Sequence, residues 1–130
     1  MALINTALNT EIVKGDFHAV KQLIETKGYS PNYTGFLGLS HTPLYTAAAS
    51  KQVEILNYLI QKGADVNVQT KSEKSSVLMF ACDDNNLEIV KMLLEAGANP
   101  NLKDEDGETA LQKTDSEEIK QLLKQYGAKE

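Results

Sequence analysis

The apolar positions of this 130-residue chain recur in a fixed pattern. Val20-Leu23-Ile24, Leu56-Leu59-Ile60, Val90-Leu93-Leu94 and Ile119-Leu122-Leu123 each set three aliphatic residues at i, i+3 and i+4. That spacing lays one buried stripe along an α-helix. A glycine follows every triplet, at Gly28, Gly63, Gly97 and Gly127, where a left-handed residue can end the helix and satisfy its last carbonyls. Upstream of each triplet stands a hydroxyl residue before an apolar one: Thr6-Ala7-Leu8, Thr42-Pro43-Leu44, Ser76-Val77-Leu78 and Thr109-Ala110-Leu111. A Ser or Thr oxygen there caps the first free amides of a helix, and proline is tolerated in the first turn.

The four hydroxyls lie 36, 34 and 33 residues apart. Such a period predicts a solenoid of helix pairs, each burying its apolar faces against its neighbours. First helices are expected to begin near Thr6, Thr42, Ser76 and Thr109. Second helices are expected near 16–26, 52–62, 86–96 and 116–126, with Asp16, Asn86 and Ser116 as caps. Glu117 and Glu118 sit favourably near a positive helix end. Small residues, Ala47-Ala48-Ala49 and Ala81-Cys82, mark where helices approach closely.

Thr42-Pro43-Leu44-Tyr45-Thr46-Ala47-Ala48, followed by residues 53–67, resembles the ankyrin repeat along nearly its whole length. Residues 86–101 repeat the match, and Asp106-Gly107-Glu108-Thr109-Ala110-Leu111 opens a fourth unit. The resemblance covers essentially the whole chain. It implies an all-α ankyrin-repeat solenoid, with helix-turn-helix units joined by β-hairpin-like loops. One domain, 1–130, would hold repeats at about 3–35, 36–69, 70–102 and 103–130. Tyr45, Met79 and Gln112 stand where the family usually has a histidine that ties neighbouring loops, which implies looser loops here. Lys51 and Asn85 replace the glycine usual between paired helices; asparagine tolerates that conformation better than lysine. The first and last units are degenerate, as caps facing water would be. Glu11 stands where a small apolar residue is expected, and the fourth unit has lost about one helical turn between Thr109 and Ile119.

Composition agrees with a folded domain: 42% apolar and 24% charged residues. No run approaches the roughly 20 apolar residues of a membrane span. Thirteen lysines, with no arginine, stand against eighteen carboxylates, giving a net charge of −5. Nucleic-acid binding calls for a basic face and often arginine forks, so it is not expected. A partner with a basic or mixed-charge patch suits this surface better. The single Cys82 cannot form an intrachain disulfide, and the N-terminus lacks a secretory signal's basic start. Together they point to a reducing compartment, the cytoplasm.

Nothing here assembles a catalytic group. Cys82 is distant in sequence from His18 and His41, and a buried structural thiol explains it. Asp104-Glu105-Asp106-Gly107-Glu108 superficially resembles the start of a calcium loop, but position twelve would be Asp115 rather than a bidentate glutamate. A hairpin turn explains the same residues. There is no phosphate loop, paired-histidine zinc motif or nucleophile elbow, so no enzyme, cofactor or metal is expected.

What remains is surface. In the ankyrin family partners usually dock on the concave side formed by hairpin tips and first helices, which implies protein binding by a monomer. By position, that side would carry Leu37, Leu39, His41, Lys71, Glu73, Lys74, Lys103, Glu105 and Asp106 on the tips. Thr46, Ser50, Phe80, Asp83, Asp84 and Lys113 would line it from the first helices. Phe80 should look outward where small or polar residues are usual, with Asp83, Asp84 and Glu88 as an acidic rim. The apolar loop 33–39 either contacts a partner or seals the first repeat. Two other functions stay open: a dedicated inhibitor or regulatory subunit of one basic-surfaced enzyme, or an enzyme or small-molecule binder with a deep pocket.

Overall fold

A computed structural model describes residues 2–32 and 42–130. Among the described residues are seven α-helices and no strand: α1 Ala2–Lys14, α2 Phe17–Lys21, α3 Pro43–Ala49, α4 Val53–Gln61, α5 Val77–Asp83, α6 Leu87–Glu95 and α7 Glu117–Gln125. The predicted caps form. Asp16, Thr42, Ser76, Asn86 and Ser116 each accept a bond from the amide three residues on, at 3.0–3.2 Å. Thr109 makes a capping box with Gln112, whose Oε1 accepts the Thr109 amide at 2.8 Å. Thr6 is the exception, because α1 already begins at Ala2. No glycine or proline separates Ala2 from Thr6, so the helix extends back through them.

The chain divides into two compact units, Met1–Asp65 and Val66–Glu130. In the first, α1 packs on α2 and α3, and α4 packs on α3 and α2. Leu8, Ile12, Val20, Leu44, Ala47, Ala48, Leu56 and Leu59 form its buried interior. Ala49, expected in the close approach, is exposed, since the last residue of a short helix turns off the packed face. The second helix of the first repeat is not uniformly α. After Lys21 it passes into a π-helical turn, Gln22–Thr26, closed by the Lys27 amide on the Gln22 carbonyl at 3.1 Å. Val20 is fully buried, but Leu23 and Ile24, expected in the buried stripe, are half-buried. The wider turn rotates them off the stripe, and Leu23 lines an open hollow with Ala7, Thr10 and Ala19.

In the second unit α5 packs on α6 and on a 3₁₀ turn, Ala110–Lys113, which is all that remains of the fourth repeat's first helix. α7 closes on both α6 and that turn. Val77, Leu78, Met79, Ala81, Cys82, Ile89, Val90, Leu93, Ile119 and Leu123 fill this core. Met79 therefore serves packing where the family has its histidine. Between the paired helices Lys51 and Asn85 adopt φ of +57° and +52°. For Lys51 that conformation costs about 1 kcal/mol relative to glycine. Thr114, buried behind α5, donates its hydroxyl to the Asn85 side chain and accepts the Ser116 amide at 3.1 Å, bracing the strained turn.

An asparagine clamp recurs after each helix pair. Asn67 Nδ2 donates to the Gly97 carbonyl at 3.4 Å, and its Oδ1 accepts the Asn99 amide at 2.7 Å. Asn101 does the same with Gly127 and Lys129, and Asn32 with Gly63 and Asp65. The carbonyls served belong to glycines in the left-handed region, such as Gly97 at φ +95°. Each clamp thus ties a helix end to the loop of the preceding repeat, satisfying a carbonyl that the helix itself cannot.

Candidate functional site

The candidate surface lies on the hairpin tips and first helices of Val66–Glu130. Its first tip is closed by the Thr70 amide on the Ser75 carbonyl at 2.9 Å and the Lys74 amide on the Thr70 carbonyl at 2.8 Å. Gln69 and Ser76 make a single antiparallel bridge at its base. Lys74 turns the chain with φ +56°. This tip is tied to the next one. The Glu105 amide donates to the Glu73 carbonyl at 3.0 Å, and Gln69 Nε2 reaches both the Lys74 and Lys103 carbonyls at 2.8 Å. The missing family histidine implied looser loops; here a glutamine amide makes the tie instead, its two N–H groups bridging two carbonyls that a neutral imidazole's single N–H could not serve together.

These tips carry Lys71, Glu73, Lys103 and Glu105 in exposed positions, and α5 ends on exposed Asp83 and Asp84. Phe80 is half-buried on α5. Thr46 is half-buried in the first unit, its hydroxyl donating to the Thr42 carbonyl at 3.3 Å. Leu37, Leu39 and His41 lie outside the described residues, as does the rest of the 33–39 loop.

Lys113 lines a small hollow with Glu73, Glu105 and Asp106 of the tips. Its ammonium lies 2.6 Å from Asp104 Oδ2 and 2.9 Å from Glu108 Oε1, half-buried within its own repeat. Asp104 Oδ1 meanwhile accepts the Asp106 and Glu108 amides at 2.9 Å each. The lysine and these amides hold the Asp104 carboxyl below the usual carboxylate range, and the two acids push Lys113 upward. Carboxylate oxygens of Asp104, Asp106 and Glu108 come within 4.8 Å of one another, as a cation site would need. The Lys113 ammonium pairs with Asp104 and Glu108, and the Asp106 and Glu108 amides donate to Asp104, so these contacts brace the turn. A pH prediction follows from the sign. A carboxyl with a depressed folded pKa stabilises the turn above its ordinary range, and the effect fades as acid protonates it. The Asp106 and Glu108 amide resonances should therefore shift together, with a midpoint below that of an unperturbed carboxylate. In Lys113→Gln the midpoint should move up towards the ordinary value.

Cys82 is fully buried on α5, and burial pushes its thiol up to about 12. The thiolate, the reactive form, is scarce at neutral pH, which makes this a packing residue and not a nucleophile. Charge is unevenly distributed. Residues 1–65 hold five lysines and five carboxylates, whereas 66–130 hold eight lysines and thirteen carboxylates. The whole net charge of −5 thus belongs to the second unit.

Family comparison agrees with this architecture. Residues 3–70 match the family described as ankyrin repeats in three copies, and 59–113 match ankyrin repeats in many copies. The chain belongs to the ankyrin-repeat family. Among curated relatives it is 39% identical over 110 residues to the E3 ubiquitin-protein ligase hecd-1 of Caenorhabditis elegans, covering 85% of this chain and 4% of that protein. It is 41% identical over 98 residues to the E3 ubiquitin-protein ligase Ufd4 of Drosophila melanogaster, covering 75% and 3%. It is also 36% identical over 97 residues to Ankyrin repeat and SAM domain-containing protein 6 of Rattus norvegicus, covering 74% and 11%. The chain thus spans about a ninth or less of these relatives' length. The ligase names describe much larger proteins. Ankyrin repeats are generally non-catalytic protein–protein interaction modules. No helix among the described residues is long and apolar enough to cross a membrane.

Four features went unread in the sequence. The Asn32, Asn67 and Asn101 clamps were detectable, since they recur 35 and 34 residues apart, in step with the repeat. Gln69, Thr114 and the pairing of Lys113 with Asp104 gave no comparable periodic signal.

Proposed function

We infer that the ankyrin-repeat chain binds a protein partner through the hairpin tips and first-helix surface of Val66–Glu130. A partner with a basic or mixed-charge patch suits it. The observation that supports this reading is one surface combining half-buried Phe80 with exposed Glu73, Asp83, Asp84 and Glu105, on loops tied by Gln69 and by Glu105 to Glu73. An aromatic anchor ringed by charge is the usual composition of a binding hot spot. Loops already held by hydrogen bonds lose little further entropy when a partner docks. Lys71 and Lys103 supply its cationic positions.

The test compares wild type with Phe80→Ala and with Asp83→Lys/Asp84→Lys. A partner isolated by affinity capture is purified and its affinity measured by calorimetry. Both variants are expected to bind about tenfold or more weakly, with unchanged far-UV circular dichroism. Unaltered affinity would rule out this surface. If the captured partner is a single stoichiometric enzyme whose activity falls on binding, the chain acts as a dedicated inhibitor of it.

A further inference from the structure

The fourth repeat carries a groove that shares only Lys103 with the surface above. It encloses about 840 Å³ between the last hairpin, the 3₁₀ turn and α7. We propose that this groove binds an acidic peptide segment of a partner protein. Its occupant is opposite in charge to the one suited to the hairpin and first-helix surface, and Lys124 and Lys129, which lie outside that surface, test it separately.

Four of the second unit's eight lysines line this one groove: Lys103, Lys120, Lys124 and Lys129. Asp115 and Glu130 oppose them in the lining, and Glu117 just outside it lies 3.8 Å from Lys120. In a unit where carboxylates outnumber lysines, this is a local reversal of sign. Lys124 also shows which chemistry the groove accepts. Its ammonium holds the Glu130 carboxylate at 2.8 Å, while the adjoining Lys129 amide is pinned to Asn101 Oδ1 at 2.9 Å. A surface carboxylate is therefore already paired with one of the groove's lysines. The Lys103 and Lys129 ammonium groups pair with no carboxylate among the described residues. Half-buried Leu111, also in the lining, offers an apolar contact between charges.

A nucleic acid would meet the same charges, but the lining contains no aromatic side chain on which bases could stack. Lysines at fixed points with an apolar spot between them suit a peptide alternating carboxylates and aliphatic residues. The acidic remainder of the unit would repel such a peptide elsewhere and so set its position.

The experiment uses the whole chain and a fluorescein-labelled peptide of alternating Glu and Leu, read by anisotropy at low salt. Wild type is expected to bind saturably. Lys103→Glu/Lys124→Glu should weaken binding about tenfold or more, and Glu130→Gln should tighten it by removing the internal competitor. Lys91→Glu, the same charge change as the single reversal Lys129→Glu but at an exposed α6 position outside the groove, should alter affinity less than about twofold. Should the double reversal lose its circular dichroism signal, Lys129→Glu carries the same expectation on an exposed residue. No saturable binding, an equal loss with Lys91→Glu, or displacement by oligo-dT as effective as by unlabelled peptide would each overturn the proposal.

Discussion

Replacing Leu93 by alanine is expected to lower the unfolding free energy by about 3 kcal/mol. Leu93 is 0% exposed on α6 and stands among buried Ile89, Val90 and Leu94, with α5 packed across from it. Truncation loses the transfer free energy of the removed carbons and leaves a cavity that two helices braced by caps and an asparagine clamp cannot close. Small domains are held by only about 5–15 kcal/mol, so the loss takes a large share of the total. Urea titration followed at 222 nm measures it as a lower midpoint. Leu93→Met, which nearly conserves volume, should cost under about 1.5 kcal/mol. If alanine and methionine cost the same, Leu93 does not fill the core as described.

Tyr58→Ala should be nearly as damaging, at about 3 kcal/mol, though for a composite reason. Tyr58 is 6% exposed on α4. Its ring meets Phe17 at 5.3 Å between centroids and 55° between planes, and the Lys62 ammonium lies 5.7 Å over it. Its hydroxyl donates to the Glu25 carboxylate, which the π-helical turn carries. Lys62 also lies 3.7 Å from that carboxylate. Tyr58→Phe keeps the ring contacts and removes only the hydroxyl, so its cost should be a minor part of the alanine loss. Equal losses would mean that the hydrogen bond, not the ring, holds α2 to α4.

The same residue sets a pH dependence. Burial, reinforced by the Glu25 hydrogen bond, pushes the Tyr58 phenol up to about 12 from an ordinary value near 10. A phenol that keeps its proton more tightly when folded stabilises the protein fully below pH of about 10. That contribution disappears as pH rises through about 12. On the acid side Glu25, held low first by Tyr58 and then by Lys62 and Lys21, loses its contribution as pH falls through its depressed value. In Tyr58→Phe the alkaline fall in midpoint should be visibly shallower than in wild type.

What the sequence determined by itself was everything that obeys local rules. Val90, Leu93 and Leu94 at i, i+3 and i+4 mark the buried face of α6, and Ser76 and Asn86 ahead of α5 and α6 cap them. The shared period then implied stacked helix pairs, because each pair needs a neighbour and the pattern of that need recurs, and the repeated strings carried the resemblance to the ankyrin family. The tertiary structure decided what depends on residues about 30 positions apart. Glu73 and Glu105 meet through their backbones, Gln69 replaces a missing histidine, and Thr114 props up the turn at Asn85. Lys113 pairs with Asp104 and Glu108, since two carboxylates of the adjoining turn compete with solvent for its ammonium. No local pattern encodes such meetings, because a polar side chain's partner is chosen by which backbone groups the folded loops leave unsatisfied.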